Sequence, residues 1–232
     1  AKAQHKLGLM SITGRGGLPR SNKNAVQWYQ EAANQGFAPA QYNLGTMYYD
    51  GKGVPSNLSE QERQEIAVQW YQKAAHQGHA KAQYNLGWMY EKGQGVDQSD
   101  KNAVEWYQKA ANQSLAEAQY SLGSMHENGK GGLAQSDVKA VEWYQKAADQ
   151  GYAKAQNNLG TMYYNDKGIP SNVSEQERQK IAAKWYQQAA QQGLATAQSN
   201  LRRMWDGLAQ YNLGELYEKG QDVDQSDDEA VQ

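Results

Sequence analysis

Two short phrases recur through this chain in step, and any fold it adopts must repeat with them. Trp-Tyr-Gln begins at Trp28, Trp70, Trp106, Trp143 and Trp185, at spacings of 42, 36, 37 and 42 residues. Ala-Gln-x-x-Leu-Gly places Leu44, Leu86, Leu122 and Leu159 at spacings of 42, 36 and 37. Phrases that keep register over most of a chain describe a row of like units, each too thin to bury its own apolar face and dependent on its neighbours for a core.

One unit can be read in detail. Ala40, Leu44, Met47 and Tyr48 recur at three- and four-residue steps, the spacing of a helix and not of a strand, and define a first helix, A. Gly51-Lys52-Gly53-Val54 is a turn, and Ile66 to Ala75 forms a second helix, B. Helix B ends at His76-Gln77-Gly78, with glycine where a left-handed cap is needed. Connections this short make neighbouring helices antiparallel. Gly45, Ala74 and Ala75 lack bulk, so helix axes can approach while Leu, Met, Trp and Tyr fill the grooves. The longer units carry inserts, Pro55 to Arg63 and Pro170 to Arg178, rich in Glu, Gln and Arg and expected to be solvated on the outer face. Ser59 with Glu62, and Ser174 with Glu177, have capping-box spacing and predict an earlier start for helix B. In the shorter units the predicted caps are Ser99 or Asp100, and Ser136 or Asp137.

The sequence Ala-Gln-Tyr-Asn-Leu-Gly-x-Met-Tyr, then Gly-x-Gly-Val, then Ala-Val-x-Trp-Tyr-Gln-Lys-Ala-Ala-x-Gln-Gly resembles the Sel1-like repeat, a relative of the tetratricopeptide repeats. The resemblance implies an all-α fold, a right-handed α/α superhelical solenoid of helix-turn-helix repeats with the A helices on its concave face. It divides the chain into five repeats (1–37, 38–79, 80–115, 116–152 and 153–194), followed by a truncated, irregular segment at 195–232. It also implies an adaptor or scaffold that binds another protein or peptide. Bacterial relatives are often exported or act at the envelope or in host contact, which favours a periplasmic or secreted location. Some resemble immunity proteins that neutralise secreted toxins, and this is carried as an alternative function.

The last segment departs from the pattern. Arg202 replaces the expected glycine, and Ala209 to Gly214 restarts the A motif 12 residues after the previous one. The chain then ends at Ala230-Val231-Gln232, ahead of the Trp-Tyr of a helix B. This incomplete element is predicted to fray, to pack irregularly or to be covered by another molecule, including a second copy of the chain.

Composition removes several classes of function. Lys and Arg total 23 against 25 Asp and Glu, so the basic excess of a nucleic-acid binder is missing. Mean hydropathy is -0.96, and no run approaches the roughly 18 apolar residues of a membrane span. The start, Ala1-Lys2-Ala3-Gln4, has no apolar signal-peptide core. With no cysteine there is no disulfide or thiolate metal site. His5, His76, His79 and His126 do not form a His-Glu-x-x-His zinc pair. The Gly-x-Gly phrases follow helices and recur as turns, unlike a phosphate loop. Ser136-Asp137-Val138-Lys139 matches the Ser-x-x-Lys nucleophile motif of penicillin-interacting enzymes, so a β-lactam-binding or hydrolysing repeat protein is a second alternative. No Lys-Thr-Gly accompanies it, and a helix cap explains Ser136 better. The expectation is therefore a non-enzyme with no catalytic residues, metal or cofactor.

Candidate partner contacts are the residues that vary inside the constant frame. Beside the core stripe of helix A runs a second stripe: Tyr42, Thr46, Tyr49; Tyr84, Trp88, Glu91; Tyr120, Ser124, Glu127; Asn157, Thr161, Tyr164. Tyr42, Tyr84 and Tyr120 are assigned to packing against the next unit. Thr46, Trp88 and Thr161 are assigned to partner contact, with Trp88, Tyr49 and Tyr164 as anchors. Glu91 and Glu127 favour basic residues on the partner, and Ser124 completes the row. Asn43, Asn85 and Asn158 stand beside it, either to hold a partner's backbone or to link helices.

Overall fold

Tyrosine rings packed against glycines set the architecture. In the computed structural model, which describes the backbone of residues 1–218 and the side chains of residues 1–207, each repeat is a helix pair. The first compact unit, residues 1–150, holds α1 (Lys2–Thr13), α2 (Asn22–Asn34), α3 (Ala38–Tyr49), α4 (Glu60–His76), α5 (Ala80–Lys92), α6 (Asp100–Asn112), α7 (Ala116–Asn128) and α8 (Asp137–Asp149). The second begins at Gly151 and holds α9 (Ala153–Tyr164), α10 (Glu175–Gln191) and α11 (Ala195–Glu218). Among the described residues there is no strand, in line with an all-α helical repeat fold.

The A-helix glycine is where A and B meet. A methyl group on Gly45 would lie 2.8 Å from the Tyr71 ring; on Gly87, 2.9 Å from Tyr107; on Gly123, 2.7 Å from Tyr144; on Gly160, 2.9 Å from Tyr186. These four tyrosines are at most 2% exposed, and Leu44, Leu86, Leu122 and Leu159 are fully buried beside them. Each such side chain contributes about 1.5–3 kcal/mol by leaving water.

Helix starts follow the serine signals. Ser59 and Glu62 form a reciprocal capping box at α4, and Ser174 accepts from the Glu177 N–H at 3.3 Å at α10. Between the paired candidates the cap is serine, Ser99 on α6 and Ser136 on α8, with the aspartates in the first turn. The inserts are mostly exposed, but Leu58 and Arg63, like Val173 and Arg178, turn inward. Arg178 pairs with Asp166 at 3.3 Å.

Successive pairs are tied by a glutamine clasp. Gln41 donates to the Ala33 carbonyl at 3.2 Å and accepts from Gln77 at 2.7 Å. Gln83 repeats this with Ala75 and Gln113, and Gln119 with Ala111 and Gln150. In the second unit Gln192 donates to Gln156 at 2.8 Å. Leaving such a buried amide unsatisfied costs about 1–3 kcal/mol. The second glycine of each Gly-x-Gly turn has a packing role: at Gly95 (φ 66°) a side chain would strike the Gln64 backbone, and at Gly131 (φ 67°) the Asp100 carbonyl.

The irregular C-terminal segment begins as one helix. α11 runs from Ala195 through Arg202 and Gly207 to Glu218 without a turn, so the two A motifs share a single rod. Gly207 meets nothing where a side chain would stand, so it weakens the helix by about 1 kcal/mol without breaking it. The predicted incomplete end at Ala230-Val231-Gln232 lies outside the described residues. Among the described residues no helix is long and apolar enough to cross a membrane.

Candidate functional site

On α3, α5, α7 and α9, two positions, two and five residues beyond the motif leucine, decide what the helix presents on its open face. In these four helices one of the two is bound to the helix-B tyrosine hydroxyl. In α3 it is Thr46, which accepts from Tyr71 at 3.2 Å and donates to the Tyr42 carbonyl at 3.1 Å. In α5 it is Glu91, accepting from Tyr107 at 2.7 Å while paired with Lys92. In α7 it is Glu127, accepting from Tyr144 at 2.6 Å. In the second unit Thr161 shares a 3.0 Å bond with Tyr186 and donates to the Asn157 carbonyl.

The other position is released. In α3 this frees Tyr49, and in α5 it frees Trp88. The two rings meet edge to face, centroids 5.8 Å apart at 85°. They open a cleft of about 290 Å³, completed by Tyr71, Tyr84, Asn85 and Met89. Two of its hydroxyls are engaged. Tyr49 donates to Gln94 at 3.0 Å and Tyr71 donates to Thr46, while the Ser121 side chain stands beside the Tyr84 hydroxyl. The Asn85 amide bonds Tyr71. Burial pushes the hydroxyl pKa of Tyr49 and Tyr84 up, and that of Tyr71 up to about 12, so all three are neutral phenols near neutral pH.

The remaining predicted residues are placed as follows. Asn43 donates to His5 Nε2 at 2.9 Å and also bonds Tyr29, so its amide reaches the preceding repeat. Burial lowers the His5 pKa, which keeps that ring an acceptor. Ser124 is half-buried, and its carbonyl accepts from Asn128 at 2.8 Å. In the second unit Asn158 accepts from Asn157 at 3.4 Å, and Tyr164 is 38% exposed. The structure therefore gathers Tyr49, Asn85 and Trp88 around one cleft. Tyr71 and Met89 also line it, yet their repetition in every unit marks them only as core; Gln94 carried no signal beyond its place in a turn.

The other motifs resolve into structure. Ser136 Oγ accepts from the Lys139 backbone N–H at 3.3 Å, which is the work of a helix cap. His79 Nδ1 accepts from the Ala82 N–H at 3.2 Å while the ring stacks on Tyr42, so this histidine caps α5 and is not a free turn residue. Among the described residues no cluster of three or more His, Asp or Glu side chains suits a metal ion.

Comparison with known proteins places this frame. A profile of the Sel1 repeat matches residues 1–37, 38–79, 80–115, 116–152, 153–194 and 207–232. The chain is 34% identical to a Sel1 repeat protein from Oxalobacter formigenes, over 86% of this chain and 74% of that one, with a TM-score of 0.75. It is 37% identical to c5321, a protective antigen present in uropathogenic Escherichia coli strains, with a TM-score of 0.77. That match covers 88% of this chain but 41% of c5321. The immunity protein PA5088 of Pseudomonas aeruginosa shares the fold at 20% identity, over 88% of this chain and 74% of that one, with a TM-score of 0.50. A search of curated proteins returned no match. With its motifs in register from the first helix pair to the last, the chain belongs to the Sel1 repeat family, whose members are in general non-enzymatic interaction scaffolds.

Proposed function

We propose that this chain is a binding scaffold with no reaction of its own, which takes a segment of another protein or peptide on the A-helix face of its first unit. The observation that carries the reading is the cleft between Tyr49 and Trp88. Two large aromatic rings are held by packing at the one place where neither serves a buried hydroxyl. Rings fixed before contact lose little freedom when a partner docks, and aromatic anchors in preformed pockets dominate binding energy. Asn43 and Thr46 on α3 and Glu91 on α5 lie beside the cleft, and Ser124 and Glu127 lie on α7. They are proposed as secondary contacts, through whatever surface their bonds within the protein leave open. Asn158, Thr161 and Tyr164 form a separate contact set in the second unit.

The test is selection of binders from a displayed peptide library, followed by calorimetric titration. Trp88→Ala is expected to weaken the selected peptide by about 30-fold, the effect of losing an interface hot spot. Trp143→Ala, on helix B, is expected to change affinity less than twofold. Equal losses in both variants would overturn the assignment of the binding face.

A further inference from the structure

The cleft also has a chemical preference. Its accessible walls are the rings of Tyr49, Tyr84 and Trp88 with the Asn85 amide, over a nearly sealed floor of Tyr71 and Met89. Because the Tyr49 and Tyr71 hydroxyls donate within the protein, a guest meets their rings in place of their O–H donors. A π face is the negative end of the ring quadrupole and attracts cations, tryptophan most strongly. The edge-to-face set of Tyr49 and Trp88 supplies two walls nearly at right angles, the arrangement that surrounds a compact cation on two sides.

The surrounding charges have the same sign. Asp50 and Glu60 act on Tyr49, Asp50 acts on Tyr71, and Glu91 and Glu117 act on Tyr84; every one is a carboxylate. Glu91 stands one helical turn beyond Trp88 on the same face. Two of these carboxylates are ion-paired, Asp50 with Lys52 at 2.8 Å and Glu91 with Lys92, whereas Glu60 and Glu117 have no ion pair among the described residues. Arg63 donates to the Tyr49 carbonyl at 3.4 Å beneath the turn at Gly51, so the balance around the cleft remains acidic. None of the six lining residues is charged, so nothing there repels a positive guest.

We propose that the cleft is an aromatic cage for an organic cation, the ammonium or guanidinium head of a lysine or arginine side chain on the bound partner. The proposal rests on the binding face assigned above and adds the chemistry of the residue that enters it. An apolar side chain would fill the same volume but gain nothing from the ring quadrupoles or from Glu91. An acidic one would be opposed by both.

The experiment titrates the labelled protein with tetramethylammonium chloride and with tert-butyl alcohol, a neutral guest of similar shape, following the Trp88 indole N–H resonance. Acetyl-arginine amide and acetyl-lysine amide then separate guanidinium from ammonium. The cations are expected to shift the resonance saturably, the alcohol to bind at least tenfold more weakly, and Glu91→Gln to weaken the cations severalfold. Replacing the tryptophans with fluorinated analogues keeps their shape and drains the π face; affinity is expected to fall in step with each added fluorine. Equal binding of alcohol and cation, or indifference to fluorination, would overturn the cage. The two readings fail separately. Selected peptides that need Trp88 but carry no basic residue would refute the cage and leave the binding face standing. Cation binding at Trp88, with selected peptides indifferent to that residue, would do the reverse.

Discussion

Tyr71 and Tyr107 occupy the same place in successive helix pairs, and their hydroxyls find different acceptors. Tyr71 uses Thr46, two residues past the motif leucine; Tyr107 uses Glu91, one turn further along its own A helix. Both rings are essentially sealed from water, so each needs an acceptor. The choice determines which neighbouring position is left over. Threonine at the first position leaves the second free for Tyr49; glutamate at the second leaves the first free for Trp88. The cleft exists because one solution follows the other in the array. Two repeats of the same kind would place at most one of these rings there. Variation among repeats is thus partly internal chemistry, and a varying residue is not by that fact alone a partner contact.

What the two solutions share carries the largest effect. Both rest on a glycine beneath the ring, so Gly45→Leu and Gly87→Leu should each lower stability by about 3 kcal/mol in urea denaturation. A loss at one site without the other would mean that the two pairs are not packed alike.

The hydroxyl acceptors come next. Glu91→Ala strands the Tyr107 hydroxyl and should cost about 2 kcal/mol. Adding Trp88→Thr transplants the Thr46 solution into α5, and a double-mutant cycle should show about 1 kcal/mol of recovery. Strict additivity would show that the two acceptors are not interchangeable and would break the comparison.

Much of this frame can be read from the sequence. Trp-Tyr-Gln and Ala-Gln-x-x-Leu-Gly fix which helices pair, and Ser59 with Glu62 marks the start of α4, because capping is local chemistry. The glutamine clasp is hidden, since Gln41 and Gln77 lie 36 residues apart and glutamine usually signals surface. Sequence marks Trp88 and Thr46 alike as variable. Only geometry separates the threonine bonded to Tyr71 from the indole lining the cleft. The continuity of α11 was likewise hidden, because Gly207 reads as a break but sits in open space.

A smaller effect separates the solutions by pH. Tyr71 has its pKa raised to about 12 by burial, while the unfolded phenol titrates near about 10. The folded state therefore holds the proton more tightly. Its contribution is full below about pH 10 and is lost as pH rises towards about 12. Between about pH 9 and 11 this is about 1 kcal/mol, so Tyr71→Phe should flatten the alkaline fall in denaturation midpoint. At Tyr107 burial and the Glu91 carboxylate both push the pKa up, further than at Tyr71, so Tyr107→Phe should flatten it over a wider range. Identical profiles for the two variants would mean that the carboxylate adds nothing.

The smallest expected effect lies at the end of the repeat that carries Trp88. Helix B in the other repeats is followed by Gly36, Gly78, Gly151 or Gly193, all at positive φ, but α6 is followed by Ser114 at φ 62°. Its N–H still bonds the Ala111 carbonyl at 2.9 Å, so the turn forms in spite of the side chain. An L-residue in this region costs about 1–2 kcal/mol, whereas glycine loses more freedom on folding, worth about 0.4–1 kcal/mol. Ser114→Gly should therefore stabilise the protein by about 0.5 kcal/mol, read as a higher urea midpoint at unchanged slope. Because Ser114 is exposed and on the far side of α6 in sequence from the residues that line the cleft, affinity for a selected peptide should not change. A stabilised variant with altered affinity would mean that the turn, and not the tyrosine acceptors alone, sets the spacing of Tyr49 and Trp88.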